Sequence, residues 1–307
     1  MIRLLQKLIL LFIAFVIIDY IIGLGLNIIL NNSPDGRYFK ALYSLEKSNE
    51  DIVIFGASCA ETNIVPYVFE DSLKMTCWNS GRGGQLLPFF ICIEQGMLNR
   101  YVPKIAVIDM GVEDLETDLS EFYEKAGFLS PFYRKHKEIR PILNKISFFE
   151  RYFMYSMLYA YNSSYYYLLR PYLFRGLDGK RGDKGWKPRT GQMPKIIPNP
   201  VIVNTSKKLN NETVSAFNEF VTGLSAKGCK VFVVIHPVFN EITTNTSTIE
   251  NIKKMKNVDL LDFDDNKLIA ENSLFFRDPG HLNIQGAIKF TTLLVNKIRH
   301  KINKNTL

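Results

Sequence analysis

Residues 51–61 read Asp51-Ile52-Val53-Ile54-Phe55-Gly56-Ala57-Ser58-Cys59-Ala60-Glu61. A short apolar, β-branched run with no polar alternation fits a strand covered on both faces, as in a parallel sheet, and Gly56 ends it in a turn from which a helix can start. The same form recurs along the chain. Met75–Trp78 runs into Asn79-Ser80-Gly81, and Lys104–Asp109 reads KIAVID. Lys230–Ile235 (KVFVVI) follows an amphipathic stretch, Asn211–Ala226, and a stop at Gly228; Val258–Phe263 (VDLLDF) makes a fifth strand. Strands alternating with helical stretches require crossover connections. The chain is therefore predicted to be α/β with a doubly wound parallel sheet, its functional residues gathered at the carboxyl ends of the strands. Ile284–Lys301, apolar at helical spacing with lysines opposite, is predicted to close the domain as an amphipathic helix.

Upstream of the first strand, Leu8–Ile18 is an unbroken apolar run, followed by Asp19 and then by Tyr20–Leu30, interrupted only by Asn27. As a helix, positions 8–30 span about 34 Å, enough for a hydrocarbon core of roughly 30 Å. Arg3 and Lys7 precede the run while Asn31, Asn32 and Asp35 follow it. The positive-inside tendency then predicts a cytoplasmic N-terminus and a periplasmic or extracellular bulk. No Ala-x-Ala follows, which favours an anchor over a cleaved signal. The expected organisation is a tail at 1–7, an anchor at 8–30, a linker at 31–50 and a domain at 51–307. Asp19 is costly at mid-membrane, by about 2.5–3.5 kcal/mol on insertion scales, and is expected to be protonated or paired with another subunit.

With 307 residues, 47% hydrophobic and 22% charged, the rest of the chain is neither disordered nor polytopic. Four cysteines without C-x-x-C spacing or a histidine at ligand distance argue against a structural metal or redox dithiol. The net charge of +8 is local: residues 130–195 carry 14 Lys plus Arg against 4 Asp plus Glu. That stretch belongs to an expected insertion at about 119–200, crowded with aromatics from Tyr152 to Phe174. Its glycine- and lysine-rich part, Gly176–Gly191, is predicted to be a long exposed loop. A location outside the membrane disfavours nucleic acid as the partner of this basic region.

Three blocks carry candidate chemistry. In the first, Ser58 ends the strand where a helix begins, so its hydroxyl can serve as a nucleophile with its own amide at a helix start. Alternatively, with Glu61 three residues on, it completes a capping box. The second, Asn79-Ser80-Gly81-Arg82-Gly83-Gly84, permits close backbone approach for an oxyanion hole or simply a tight turn. In the third, Asp278-Pro279-Gly280-His281, the carboxylate can fix the imidazole tautomer and leave the other ring nitrogen to take a serine proton. His236 is expected to line the pocket, Cys59 to be packing, and His136 and His300 to be solvated.

The order Gly-x-Ser, Asn-x-Gly-x-x-Gly, Asp-Pro-x-His-Leu-Asn resembles the SGNH/GDSL hydrolase superfamily, and the anchored layout is similar to its bacterial membrane-tethered branch. The resemblance covers residues 51 to about 117 and 201 to about 300. It implies a flavodoxin-like sheet of about five strands, with the aromatic helical insertion as an addition. It also implies Ser58 as nucleophile, Asp278 and His281 completing the triad, and Ser58 and Gly84 as oxyanion donors, with no cofactor and no metal. Where the family has Gly-x-Asn-Asp, this chain reads Gly111-Val112-Glu113-Asp114; an ionised Glu113 in the pocket would oppose an oxyanion, leaving Asn79 or Arg82 as substitute donors. The function implied is hydrolysis or transfer of acyl esters, such as O-acetyl groups on envelope or exported polysaccharide. The alternative is a catalytically silent accessory protein of a polysaccharide modification or export complex, working with a membrane-bound acyltransferase or export partner.

Overall fold

The computed structural model describes residues 1–162, 164–194, 201–203, 208–239, 241–243, 247–263 and 267–304. The five apolar runs form one parallel sheet. β1 (Ile52–Phe55) pairs with β2 (Cys77–Asn79) on one side and β3 (Ile105–Met110) on the other. Next come β5 (Lys230–Ile235) and β7 (Val258–Asp262), giving the order β2-β1-β3-β5-β7. A separate parallel pair joins β4 (Val201–Val203) to β6 (Glu241–Thr243). Alternate strand residues go to two different cores, which is why the runs show no polar face. Ile52, Ile54, Val107, Phe232 and Val234 meet Phe290 and Leu294. Val53, Phe55, Ile108, Val231 and Val233 meet Phe90, Phe217 and Phe220.

The helices that matter for the site are α3 (Ser58–Asn63) and α4 (Pro66–Leu73) after β1, and α5 (Leu87–Leu98) after β2. Among the described residues between β3 and β4 there are only short pieces, including α6 (Ser120–Ala126) and α7 (Tyr165–Leu173), separated by 3-10 turns; residues 163 and 195–200 of the expected insertion lie outside the described residues. Later come α8 (Asn211–Ser225), α9 (Ser247–Lys254) and α10 (Ile284–Lys304). At the start, α1 (Ile2–Asn31) is one helix long and apolar enough to cross a membrane.

Four local expectations change. The stretch 31–50 is no free linker: α2 (Gly36–Leu42) and a π-helical turn, Tyr43–Lys47, bury Tyr38, Leu42 and Leu45 completely or nearly so in the domain core. Asp19 needs no second subunit. It accepts from Ser156 Oγ at 2.5 Å and from the amides of Met157 and Leu158 at 2.7 and 3.1 Å. His136 is buried between Glu46 (3.2 Å) and Glu138 (2.7 Å). Burial works against its protonation, but the two carboxylates outweigh it and raise its pKa. Finally, the Gly176–Gly191 stretch is partly docked rather than exposed throughout. Trp186 is buried, its Nε1 donates to the Thr62 carbonyl, and Lys184 accepts from the Asn79 amide. Gly185, with φ +82°, makes this possible, since a Cβ there would sit 2.0 Å from the Asn79 carbonyl oxygen.

Candidate active site

Ser58 owes its position to Gly56. The chain turns from β1 into α3 with φ +137° at Gly56, where a Cβ would lie 2.7 Å from the Asp109 carbonyl oxygen and 2.8 Å from the Ala60 Cβ. With the turn this tight, Ser58 becomes the first residue of α3, at the carboxyl edge of the sheet. Its Oγ lies 2.8 Å from His281 Nε2, and His281 Nδ1 lies 2.7 Å from Asp278 Oδ1.

Asp278 and His281 face each other across a hairpin of β8 (Phe276–Asp278) and β9 (His281–Leu282), whose turn is held by the Gly280 amide donating to Asp278 Oδ1 at 3.2 Å. Asn63, at the end of α3, accepts from the Leu282 amide at 3.0 Å and so locks the hairpin to the serine's own helix. With Asp278 accepting the Nδ1 proton, Nε2 is the basic nitrogen facing the hydroxyl. Burial opposes ionisation of Asp278. The bonds from His281 and Gly280, together with Arg189 at 4.0 Å, outweigh it and hold the carboxyl below its ordinary value.

The capping alternative for Ser58 is not what the side chains do. No side-chain cap bond closes α3, and Glu61 turns instead to the Gly83 amide (2.9 Å) and Lys40 Nζ (3.3 Å). Burial raises the cost of that carboxylate, yet Lys40 and the Gly83 amide keep its pKa lowered. This network anchors the glycine block beside the serine: a Cβ on Gly83 would be 3.4 Å from Ser58 Cβ. Gly84, exposed at φ +78°, has an amide that no hydrogen bond occupies among the described residues.

Of the proposed substitute donors, Asn79 is fully occupied by other bonds, whereas Arg82 packs between rings with its Nε and Nη1 lacking a hydrogen-bond partner. Asn79 is fully buried, its Nδ2 donating to the carbonyls of Ala60 and Ile64 and its Oδ1 accepting from the Gly81 amide. Arg82 turns into an aromatic slot, its guanidinium 3.3 Å from the Phe128 ring centroid and 5.3 Å from that of Phe89, and burial lowers its pKa to about 10. Glu113 is exposed and makes no side-chain bond to the triad. Its neighbour Asp114 turns inward instead, accepting from the Gly111 amide at 2.9 Å, with its pKa raised to about 6 by burial.

A second polar group, largely missed in the sequence, lies behind Ser58. Asp109, at the end of β3, is almost fully buried and 3.1 Å from His236 Nδ1; Cys59 Sγ bonds the Gly280 carbonyl at 3.2 Å. Burial disfavours the charged imidazole, but the Asp109 carboxylate wins and raises the His236 pKa well above its ordinary value. His236, expected to line the pocket, is therefore held in an ion pair with Asp109, its side chain 13% exposed. Ligand atoms of Cys59, Asp109 and His236 lie within 4.8 Å of one another and form the one three-residue donor set for a metal among the described residues; each already has a protein partner. The available signal was an aspartate near the end of an otherwise apolar strand, at the carboxyl edge of the sheet.

A small apolar pocket of about 40 Å³ opens beside Gly56 and Ala57, between Phe55, Leu86, Phe90 and Leu115. No family model matches the chain, and no curated protein matches it.

Proposed function

We propose that this chain is a serine acyl-ester hydrolase or O-acyltransferase of SGNH/GDSL type, with a doubly wound, flavodoxin-like domain. In this reading residues 8–30 anchor it in a bacterial cytoplasmic membrane, N-terminus inside and domain on the outer side. The observation that carries the reading is the continuous Ser58–His281–Asp278 relay, with contacts of 2.8 and 2.7 Å. Ser58 Oγ attacks an ester carbonyl while His281 Nε2 takes its proton and Asp278 stabilises the imidazolium. The carbonyl oxygen, now anionic, accepts from the amides of Ser58 and Gly84. Collapse expels the alcohol, which receives the proton from His281 and leaves an acyl-Ser58. Water or a sugar hydroxyl then takes the acyl group by the same steps in reverse.

The small pocket at Gly56 and Ala57 adjoins the turn that carries Ser58. O-acetyl groups on envelope or exported polysaccharide are the proposed substrate, with a membrane-bound acyltransferase or export complex as partner. The accessory alternative gains nothing from Glu113, which is exposed. A fluorophosphonate probe offered to the full chain in detergent should label Ser58. The label should vanish in Ser58→Ala and fall strongly in His281→Ala. A folded wild-type chain that takes no label would overturn the enzymatic reading in favour of the accessory one.

A further inference from the structure

We propose that the aromatic segment following α6 is a second membrane contact, seated in the leaflet nearest the domain by its attachment to α1. The proposal rests on the reading that α1 spans a membrane. Residues 1–18 of α1 are exposed on all sides, whereas from Asp19 onward a stripe of Asp19, Gly23, Leu26 and Leu30 is covered by the domain.

The segment is bolted to that stripe at three heights. Asp19 accepts from Ser156, Met157 and Leu158. Gly23 lies directly under Met157, since a Cβ on it would be 2.2 Å from the Met157 Cβ. Tyr172 donates its hydroxyl to the Ile29 carbonyl at 2.6 Å. With Lys7 at one boundary, Asp19 stands about 18 Å along the helix in an apolar core of roughly 30 Å. Residues 156–158 therefore cannot remain in water while positions 8–30 occupy hydrocarbon.

The surface suits that place. Tyr155 is 80% exposed, Phe148 and Leu173 are each 75%, and Phe153, Tyr172 and Phe174 are exposed beside them. Water-facing aromatics in such number mark a contact surface, and tyrosines are enriched where headgroups meet acyl chains. The N–H groups of residues 154–159 are all paired, as an apolar medium demands of backbone donors. The amides of Met154, Tyr155 and Ser156 donate to the carbonyls of Glu150, Tyr152 and Phe153. Those of Met157 and Leu158 go to Asp19, and that of Tyr159 to Ser156 Oγ. The cations within the segment are held by its own groups, Arg151 over Phe148 and Tyr152 and Arg134 donating to the Tyr155 carbonyl.

The test uses the full chain in vesicles of phosphatidylcholine and phosphatidylglycerol, with or without bromine on the phosphatidylcholine acyl chains. Tyr155→Trp and Phe174→Trp each report the patch, Ile13→Trp reports the anchor, and the buried native Trp78 and Trp186 supply the baseline. The expected result is at least twofold bromine quenching of the added emission at 13, 155 and 174. Quenching at 13 with none at 155 and 174 overturns the proposal and leaves the anchor standing. No quenching at any position overturns both. A patch covered by a second copy would give unquenched 155 and 174 in a chain that cross-links as a dimer, which also overturns the proposal.

Discussion

The serine-bearing edge of the sheet and the aromatic segment after β3 are both built from turns and very short elements, yet they are held by different means. At the edge, each functional side chain is placed by its own strand or hairpin: Gly56 turns Ser58 out of β1, and the Asp278–Gly280 bond shapes the loop that carries His281. The aromatic segment has no such frame. Its geometry depends on partners more than a hundred residues away, Asp19 and Ile29 on α1 and Asp35, which accepts from the Gly176 amide. At the edge, tight local turns set each side chain and a few long-range bonds join them; positioning in the segment is borrowed from the helix it leans on.

The largest effect should come from Asp278→Asn, which keeps the shape of the hairpin but presents the wrong hydrogen-bonding partner to Nδ1. Turnover of a small acetyl ester should fall by about 10⁴ with the melting point little changed. A fall of only a few fold would show that the local frame is not what orients His281.

Next is Glu94 on α5, packed against Gly223 of α8, whose pKa burial pushes up to about 8. A carboxyl raised in the folded state stabilises at low pH, and that stability is lost as pH rises from the ordinary glutamate range through about 8. Denaturation in detergent should show wild type losing on the order of a few kcal/mol across that window, one pKa unit being about 1.4 kcal/mol. Glu94→Gln should be nearly flat. An equal slope in both chains would show that Glu94 is ionised when folded.

Asp19→Leu removes the acceptor of three bonds and leaves the Met157 and Leu158 amides without partners, at about 1–3 kcal/mol for each buried group. Hydrogen exchange at those amides should quicken by about tenfold or more, while turnover of a soluble ester stays within twofold. A parallel loss of turnover would join the two regions that the structure holds separately.

The smallest effect is expected at Glu113→Asn. An exposed side chain away from the relay should move ester turnover by less than about twofold, an ordinary surface effect under ~0.5 kcal/mol. A tenfold rise would place Glu113 against the oxyanion after all.

Four of the five runs are buried on both faces and so must be apolar almost throughout, a demand written residue by residue in Ile52–Phe55 or Val231–Ile235, while Val258–Asp262 joins them as a half-buried edge strand. Ser58, Asp278 and His281 were legible for a related reason: a serine after a strand and an Asp-x-x-His before the last helix are local patterns, and parallel strands deliver both to one edge. Local pattern could not show which of two bonds a side chain would choose. Glu61 could cap α3 or reach Gly83 and Lys40, and only the arrival of Lys40 from α2 decided it. The pairing of Asp109 with His236 joins two strand ends whose separation in sequence hides it. Asp19, a blemish in an apolar run when read alone, becomes the acceptor for a turn 137 residues away because the fold brings unpaired amides to it. Periodicity and turn chemistry act between near neighbours, so they determined the strands and the order of the serine, aspartate and histidine blocks; the partners of buried polar groups are long-range and were decided only by the tertiary structure.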